Sequence, residues 1–260
     1  RRKIWYNSIK NDKNLFKKLN NYELKKTENL YNFIKKNDRY LDDEALNNCD
    51  YILPNSNLSY EIIKKGYECA NQDKIIEPIY LSNITERKKI YKDFKNRLYD
   101  IGFVCYNWKR GMKNYELVVD LINSDEMKDY NIIIIGREQK KELYKKNVTV
   151  IDFLEKNKLI EMYDHIKTVI IPSTYDSNPN VLTESVFSGC NVVSSSNVGN
   201  TEFLHENLLV KNESNINNWI NAIHFSVKEY QSYTGPMPDE VKTKFLKIIN
   251  DIVSKNSIIL

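Results

Sequence analysis

The chain is predicted to be an α/β protein, an open and mostly parallel sheet of the Rossmann-like kind with helices on both faces, preceded by a less regular helix-rich portion. Three observations carry this. From residue 101 onward, short β-rich runs alternate with amphipathic segments at the spacing of βαβ units. The runs are continuously apolar, Ile132-Ile-Ile-Ile135 most plainly, as strands buried on both faces require. Between them the punctuation is helical, with Pro179 placed to open one helix and Gly189 to end it.

Each element follows from its own pattern. Residues 15–36 carry apolar positions at helical spacing among many Lys and Asn, and a helix is expected there. Next come an apolar run at 51–54, a helical stretch at 58–65 and a second apolar run at 75–80. A polar, basic stretch over 85–100 separates this part from the regular one, which places a domain boundary near Arg97. Beyond it, strands are expected at 101–106, 131–136, 147–152, 168–172 and 191–196, with helices at 115–123, 156–166 and 180–188. Two further helices, 216–230 and 240–255, close the chain. In such sheets ligands bind outside the carboxyl ends of the strands, where the strand order reverses, so function is expected in the loops that leave them.

Composition narrows the class. The 260 residues can bury a sizeable core, and 41% apolar with 28% charged residues is the balance of a folded globular chain. Lys and Arg number 39 against 35 Asp and Glu, interspersed, so no nucleic-acid partner is expected. Cys49, Cys69, Cys105 and Cys190 form no C-x-x-C pair, which argues against a zinc site or a disulfide framework and for a reducing, cytoplasmic setting. No apolar run approaches the roughly 20 residues of a membrane helix. The start at Arg1-Arg2 is that expected of a piece of a longer polypeptide.

The most informative stretch is Pro172-Ser-Thr-Tyr-Asp-Ser-Asn-Pro-Asn-Val-Leu-Thr-Glu-Ser-Val-Phe-Ser-Gly-Cys-Asn-Val-Val-Ser-Ser-Ser-Asn-Val-Gly-Asn-Thr-Glu202. A buried strand ends at Pro172, a polar loop follows, and a helix begins at Asn180. A helix amino terminus facing the carboxyl edge of a sheet offers free N–H groups and a positive dipole end, which suits a diphosphate. Asp176 and Glu184 flank this terminus and can accept hydrogen bonds from vicinal hydroxyls; on spacing alone they are equally a helix cap and a solvated helix face. Upstream, Lys109, Arg110 and Lys113 lie in the loop after the first regular strand, where they can grip phosphate or form a solvated basic turn.

The long stretch resembles the donor-site signature of the group 1 retaining glycosyltransferases, which have the two-domain GT-B fold. The resemblance implies that Glu184 holds a donor ribose, that Asn180 and Val181 meet the diphosphate or sugar through backbone N–H groups, and that Asp176 faces the transferred sugar, with Ser177 and Asn178 in the turn beside it. The family usually has Glu at the first acidic position, and Asp176 is one methylene shorter. A second segment, Gly102 to Leu117, is similar to the family's first strand and loop; it implies Lys113 as the phosphate-binding Lys and favours Arg110 as its partner, the usual Arg position falling near Asn107. Gly136, Arg137 and Leu154 are placed near the base.

By the same resemblance, residues 1–96 are the end of an acceptor-side domain and its linker, 97–235 the nucleotide-sugar domain, and 236–260 a helix crossing back. The expected activity is transfer of a hexose from a nucleoside-diphosphate sugar to a glycan, lipid or protein hydroxyl with retention of configuration. The nucleotide sugar is a substrate, no cofactor is implied, and without any D-x-D pattern no metal is expected. The family's glycine-rich acceptor-side loop and amino-terminal histidine have no counterpart, since His165, His205 and His224 all lie in the second half. A non-catalytic GT-B-like binding or scaffold module therefore stands as the alternative, with a sugar-nucleotide epimerase a third possibility. Peripheral membrane association would come through the missing amino-terminal part.

Overall fold

The computed structural model describes residues 48–66, 72–82, 93–139, 143 and 145–257. The helix expected over 15–36, Cys69 and residues 85–92 of the 85–100 stretch lie outside the described residues.

Among the described residues six strands form one sheet: β1 (Tyr99–Asn107), β2 (Ile132–Arg137), β3 (Val148–Ile151), β4 (Ile166–Ile171), β5 (Asn191–Ser195) and β6 (Leu209–Val210). They lie in the order β3-β2-β1-β4-β5-β6, and every neighbouring pair is parallel. The chain thus walks outward from β1 to one edge and then returns to build the other half from β4, so the order reverses between β1 and β4.

Helices connect the strands: α1 (Asn57–Gly66) before the sheet, then α2 (Tyr115–Asn123), α3 (Lys156–Tyr163), α4 (Asn180–Phe187), α5 (Ile216–Ser226) and α6 (Pro238–Ser257). Alternate strand residues feed two separate cores. On one face Ile101, Phe103, Ile132, Ile134 and Ile170 pack with Leu117, Val118 and Leu121 of α2 and Trp219 and Ile223 of α5. On the other, Val104, Ile133, Ile135, Val169 and Ile171 pack with Tyr163 of α3 and Leu182, Val186 and Phe187 of α4. With both faces covered, the strands need no polar side, which is why their runs are continuous.

Two helix ends and two apolar runs differ from expectation for local reasons. α3 ends at Tyr163, not 166, because Ile166 already opens β4 and the His165 carbonyl accepts from the Tyr99 amide at 2.8 Å. α5 ends at Ser226 because the buried Asn191 amide donates to the carbonyls of Ser226 (2.6 Å) and Glu229 (2.7 Å) and accepts from the Gln231 amide, turning the chain away. The runs at 51–54 and 75–80 make only one parallel bridge, Ile52 to Ile75, and no named strand. Arg97, where the sequence places a boundary, is buried: its guanidinium donates to the carbonyls of Tyr163, Ile166 and Ser188 and meets Cys190 Sγ, tying the entry of the sheet to the ends of α3 and α4.

Candidate functional site

At the reversal of strand order the loops after β1 and β4 splay apart and leave a cleft of about 330 Å³. The carboxyl ends of β1 and β2 form its floor, the loop before α3 one wall, and the loop from Asp176 into α4 the other.

The floor depends on Gly136. Its φ of +142° is a conformation side chains avoid, and a Cβ there would lie 1.9 Å from the Cys105 carbonyl oxygen and 2.8 Å from Trp108 Nε1. Only glycine lets the end of β2 cross so close to that of β1. Cys105 also lines the cleft, and burial pushes its thiol pKa up.

The turn after β1 is joined to the Asp176 wall across the opening. Lys113 sits in the 3-10 turn Gly111–Lys113, which Asn114, left-handed at φ 52°, closes before α2. Its Nζ lies 2.6 Å from Asp176 Oδ2, with the two side chains 17% and 23% exposed. The backbones meet too, through the Thr174 amide on the Met112 carbonyl at 2.9 Å. Asp176 Oδ1 accepts from the Asn178 amide at 3.3 Å, so both carboxylate oxygens are engaged. Beneath this loop runs the segment after β5: Asp176 bridges Val198, its carbonyl accepts from the Gly199 amide at 2.8 Å, and a Cβ on Gly199 would sit 2.0 Å from the Ser177 carbonyl oxygen.

α4 begins at Asn180 after Pro179, and no side chain caps its amino terminus. The Leu182 N–H donates to the Pro179 carbonyl at 3.1 Å, while Asn180 and Val181, at the positive end of the helix dipole, line the cleft. One turn on, Glu184 is 5% exposed yet lines the same space, and its Oε2 accepts from Tyr163 Oη at 3.2 Å. Burial, and secondarily the Glu184 charge, hold the Tyr163 pKa well above its ordinary value, so the phenol stays a neutral donor.

Of the residues singled out in the sequence, Arg110, Lys113, Gly136, Asp176, Asn178, Asn180, Val181 and Glu184 all line this one cleft. Ser177 does not, being turned onto Gly199. Lys109 is drawn away to Glu138, 2.7 Å distant at the surface. Near the usual Arg position stands Trp108, buried against Tyr115, while Arg110, farther along the loop, lines the cleft. The sequence reading missed Tyr106 and Phe153, which line the mouth, pack edge to face at 6.0 Å and remain 61% and 42% exposed. The Arg137 guanidinium lies over both rings, 5.1 and 4.6 Å from their centroids. Their signal was there: aromatic residues at the carboxyl ends of β1 and β3.

Among the described residues no histidine lines the cleft: His224 Nδ1 lies 2.6 Å from Tyr130 Oη, and His205 accepts from the Asn207 amide. Among the same residues no group of three or more His, Cys, Asp or Glu is arranged to hold a metal, and no helix is long and apolar enough to cross a membrane.

Comparison with known proteins gives this arrangement a family. Residues 89–234, more than half of the chain, match the family model described as glycosyl transferases group 1. No curated sequence matches the chain significantly. Among solved structures it is similar to sucrose-phosphate synthase from Thermosynechococcus elongatus, with TM-score 0.64 and 14% identity over 82% of this chain and 61% of that one. A mutant of S. aureus TarM, solved with Fondaparinux, alpha-GlcNAc-glycerol and UDP, gives 0.58 and 18% over 72% and 38%. Anabaena Alr3699/HepE, solved with UDP and glucose, gives 0.57 and 13% over 81% and 66%. The chain spans about three fifths of the first of these and less than half of the second. The matched segment takes in β1 to β6 and both walls of the cleft, and the fold is that of the GT-B glycosyltransferases: this chain belongs to the group 1 glycosyl transferases.

Proposed function

We propose that the cleft binds a nucleoside-diphosphate sugar and that the chain supplies the donor half of a hexosyl transfer, with retention, to a glycan, lipid or protein hydroxyl. What carries this is the meeting of Arg110, Lys113 and the uncapped amino terminus of α4 in one cleft at the strand-order reversal. Two side-chain cations and a helix dipole converge where a diphosphate would lie, and together they offset its charge without a metal. Buried Glu184, oriented by Tyr163, is the acceptor for ribose hydroxyls.

In the transfer, the bond from the anomeric carbon to the diphosphate oxygen breaks and one to the acceptor oxygen forms. The acceptor hydroxyl gives up its proton, and the diphosphate leaves with one more negative charge, which Lys113, Arg110 and the α4 dipole stabilise. Residues 97–235 are the donor domain in this reading, working in the cytoplasm with an acceptor-side domain of which residues 1–96 are part. α6 belongs with that part: Lys244 Nζ donates to the Pro78 carbonyl at 3.3 Å.

A second reading, a binding or scaffold module without turnover, draws on Asp176, whose two oxygens are already committed to Lys113 and the Asn178 amide. Calorimetric titration with UDP and GDP, with and without magnesium, tests the donor site. Metal-independent binding that is lost in Glu184→Ala supports it; no binding by a folded sample refutes it. Release of UDP or GDP from the nucleotide sugar in the presence of acceptor then separates transferase from module.

A further inference from the structure

We propose that Asn200 is a positioning residue of the donor loop, and that through Asn178 it couples the loop to the segment 78–82. The proposal rests on reading the cleft as a donor site, and its test separates the two.

Asn178 lines the cleft, but its amide does not serve it. Nδ2 donates to the Leu81 carbonyl at 2.8 Å, and Oδ1 accepts from Asn200 Nδ2 at 2.6 Å. One side chain thus bridges three segments: residue 81, the donor loop, and the turn after β5. The Leu81 carbonyl can only accept, which fixes Asn178 with Nδ2 toward it, and Asn178 Oδ1 in turn requires Asn200 to present Nδ2.

Asn200 is an odd choice for its place unless that bond matters. It is fully buried, and its backbone is left-handed at φ +68°, a conformation glycine adopts at least as easily. Its Oδ1 is buried without a hydrogen-bond partner among the described residues, a cost glycine would avoid. What the asparagine adds is the Nδ2 contact to Asn178.

The segment 78–82 meets the same wall twice more. Ser82 Oγ donates to Thr183 Oγ1 at 3.1 Å, and Thr183 Oγ1 donates to the Asn180 carbonyl at 3.0 Å in the first turn of α4. The Tyr80 ring stands edge-on to Phe203 at 4.9 Å, on the turn that follows Asn200. Ile79, buried and bonded to the Pro54 carbonyl, anchors the start of the segment, whereas Leu81 is 43% exposed, so at 80–82 the polar tethers do more of the holding. Docking of this segment and the shape of the loop that presents Asp176 and Asn180 are therefore one equilibrium. A ligand that favours the docked loop must favour the docked segment by the same factor.

Hydrogen exchange on the whole chain tests this, comparing wild type with Asn200→Gly, which deletes the bond while keeping the backbone conformation, and with Asn178→Ala, which deletes it from the other side. Without nucleotide, either variant is expected to speed exchange in both 176–180 and 79–82 while β2 and β5 keep their protection. Faster exchange confined to the substituted turn would overturn the coupling. Loss of protection throughout the sheet in both variants would overturn it too, since the pair would then be serving global stability. With UDP or GDP, wild type is expected to slow exchange at 79–82, and Asn200→Gly to bind about fivefold more weakly, the size of one net hydrogen bond, without that slowing. Nucleotide binding that leaves 79–82 unchanged in wild type refutes the proposal. If wild type binds no nucleotide, the donor-site reading fails while the unliganded comparison still decides the bridge.

Discussion

Replacing Asp176 by Asn is expected to tighten UDP binding, the opposite of what removing a ligand-binding acid does. The reason is the ion pair: Lys113 Nζ is 2.6 Å from Asp176 Oδ2, and neither side chain is more than 23% exposed. A diphosphate reaching Lys113 must compete with that carboxylate and sit beside its charge. A half-buried pair of this kind is worth about 1 kcal/mol, so Asp176→Asn is expected to lower the UDP Kd about fivefold. Lys113→Ala should do the reverse and more. It removes a charge-assisted contact of about 1.5–3 kcal/mol and leaves Asp176 unpaired, raising the Kd by roughly 10- to 150-fold. The double variant should recover part of that loss, with a coupling energy of about 1 kcal/mol in the cycle. Calorimetry with UDP isolates the diphosphate from any sugar contact, and repeating it at higher salt should shrink both effects. If Asp176→Asn weakens UDP binding as Lys113→Ala does, Asp176 is not a competitor for the lysine and the electrostatic account of the cleft is wrong.

Tyr163→Phe removes the phenol that orients Glu184 and is expected to weaken nucleotide binding about five- to tenfold, less than Glu184→Ala, by the same titration. Gly136→Ala places a Cβ 1.9 Å from the Cys105 carbonyl oxygen, and a fall of several degrees in Tm is expected; an unchanged melt would mean the floor is soft. Arg97→Met leaves the buried carbonyls of Tyr163, Ile166 and Ser188 without this donor and should cost about 3–5 kcal/mol in denaturant unfolding. Burial, with Glu202 second, pushes the Tyr80 pKa up to about 12, and burial also raises Tyr163 and Tyr233. Since these folded values lie above the unfolded value of about 10, their contribution is whole below pH about 10 and is lost as the pH climbs toward 12. Melts from pH 8 to 11.5 should be flat at first and then fall.

Much of the sheet was legible because a strand buried on both faces has to be apolar throughout, and Ile132-Ile-Ile-Ile135 cannot be read otherwise. The helix at 115–123 was legible to the residue, since its apolar stripe and flanks coincide. The two-residue β6 was not, being too short to carry a period. The site divided the same way. Residues on one continuous motif, from Asp176 to Glu184, announce themselves by order. The pairing of Lys113 with Asp176, the support of Glu184 by Tyr163 and the shelf of Tyr106, Arg137 and Phe153 join positions far apart in sequence, and only the strand order brings them together. Arg110 shows the limit of spacing: the usual place near residue 107 is taken up by a buried Trp108.

The strand order also decides when the cleft comes into being as the chain folds. β1, β2 and β3 are neighbours in sequence and in space, so half of the sheet can form as soon as residue 151 is available. β4 must then come back past both to pair on the far side of β1, a longer closure that is slower to make. Until it does, the β1 edge beside the floor of the cleft stays open, a row of unpaired amides and carbonyls flanked by isoleucines that β4 and α4 have yet to cover. The site's last wall and the sheet's last vulnerable edge are thus closed by the same event, so substitutions that slow the docking of β4 should surface first as aggregation during synthesis and only afterwards as lost binding.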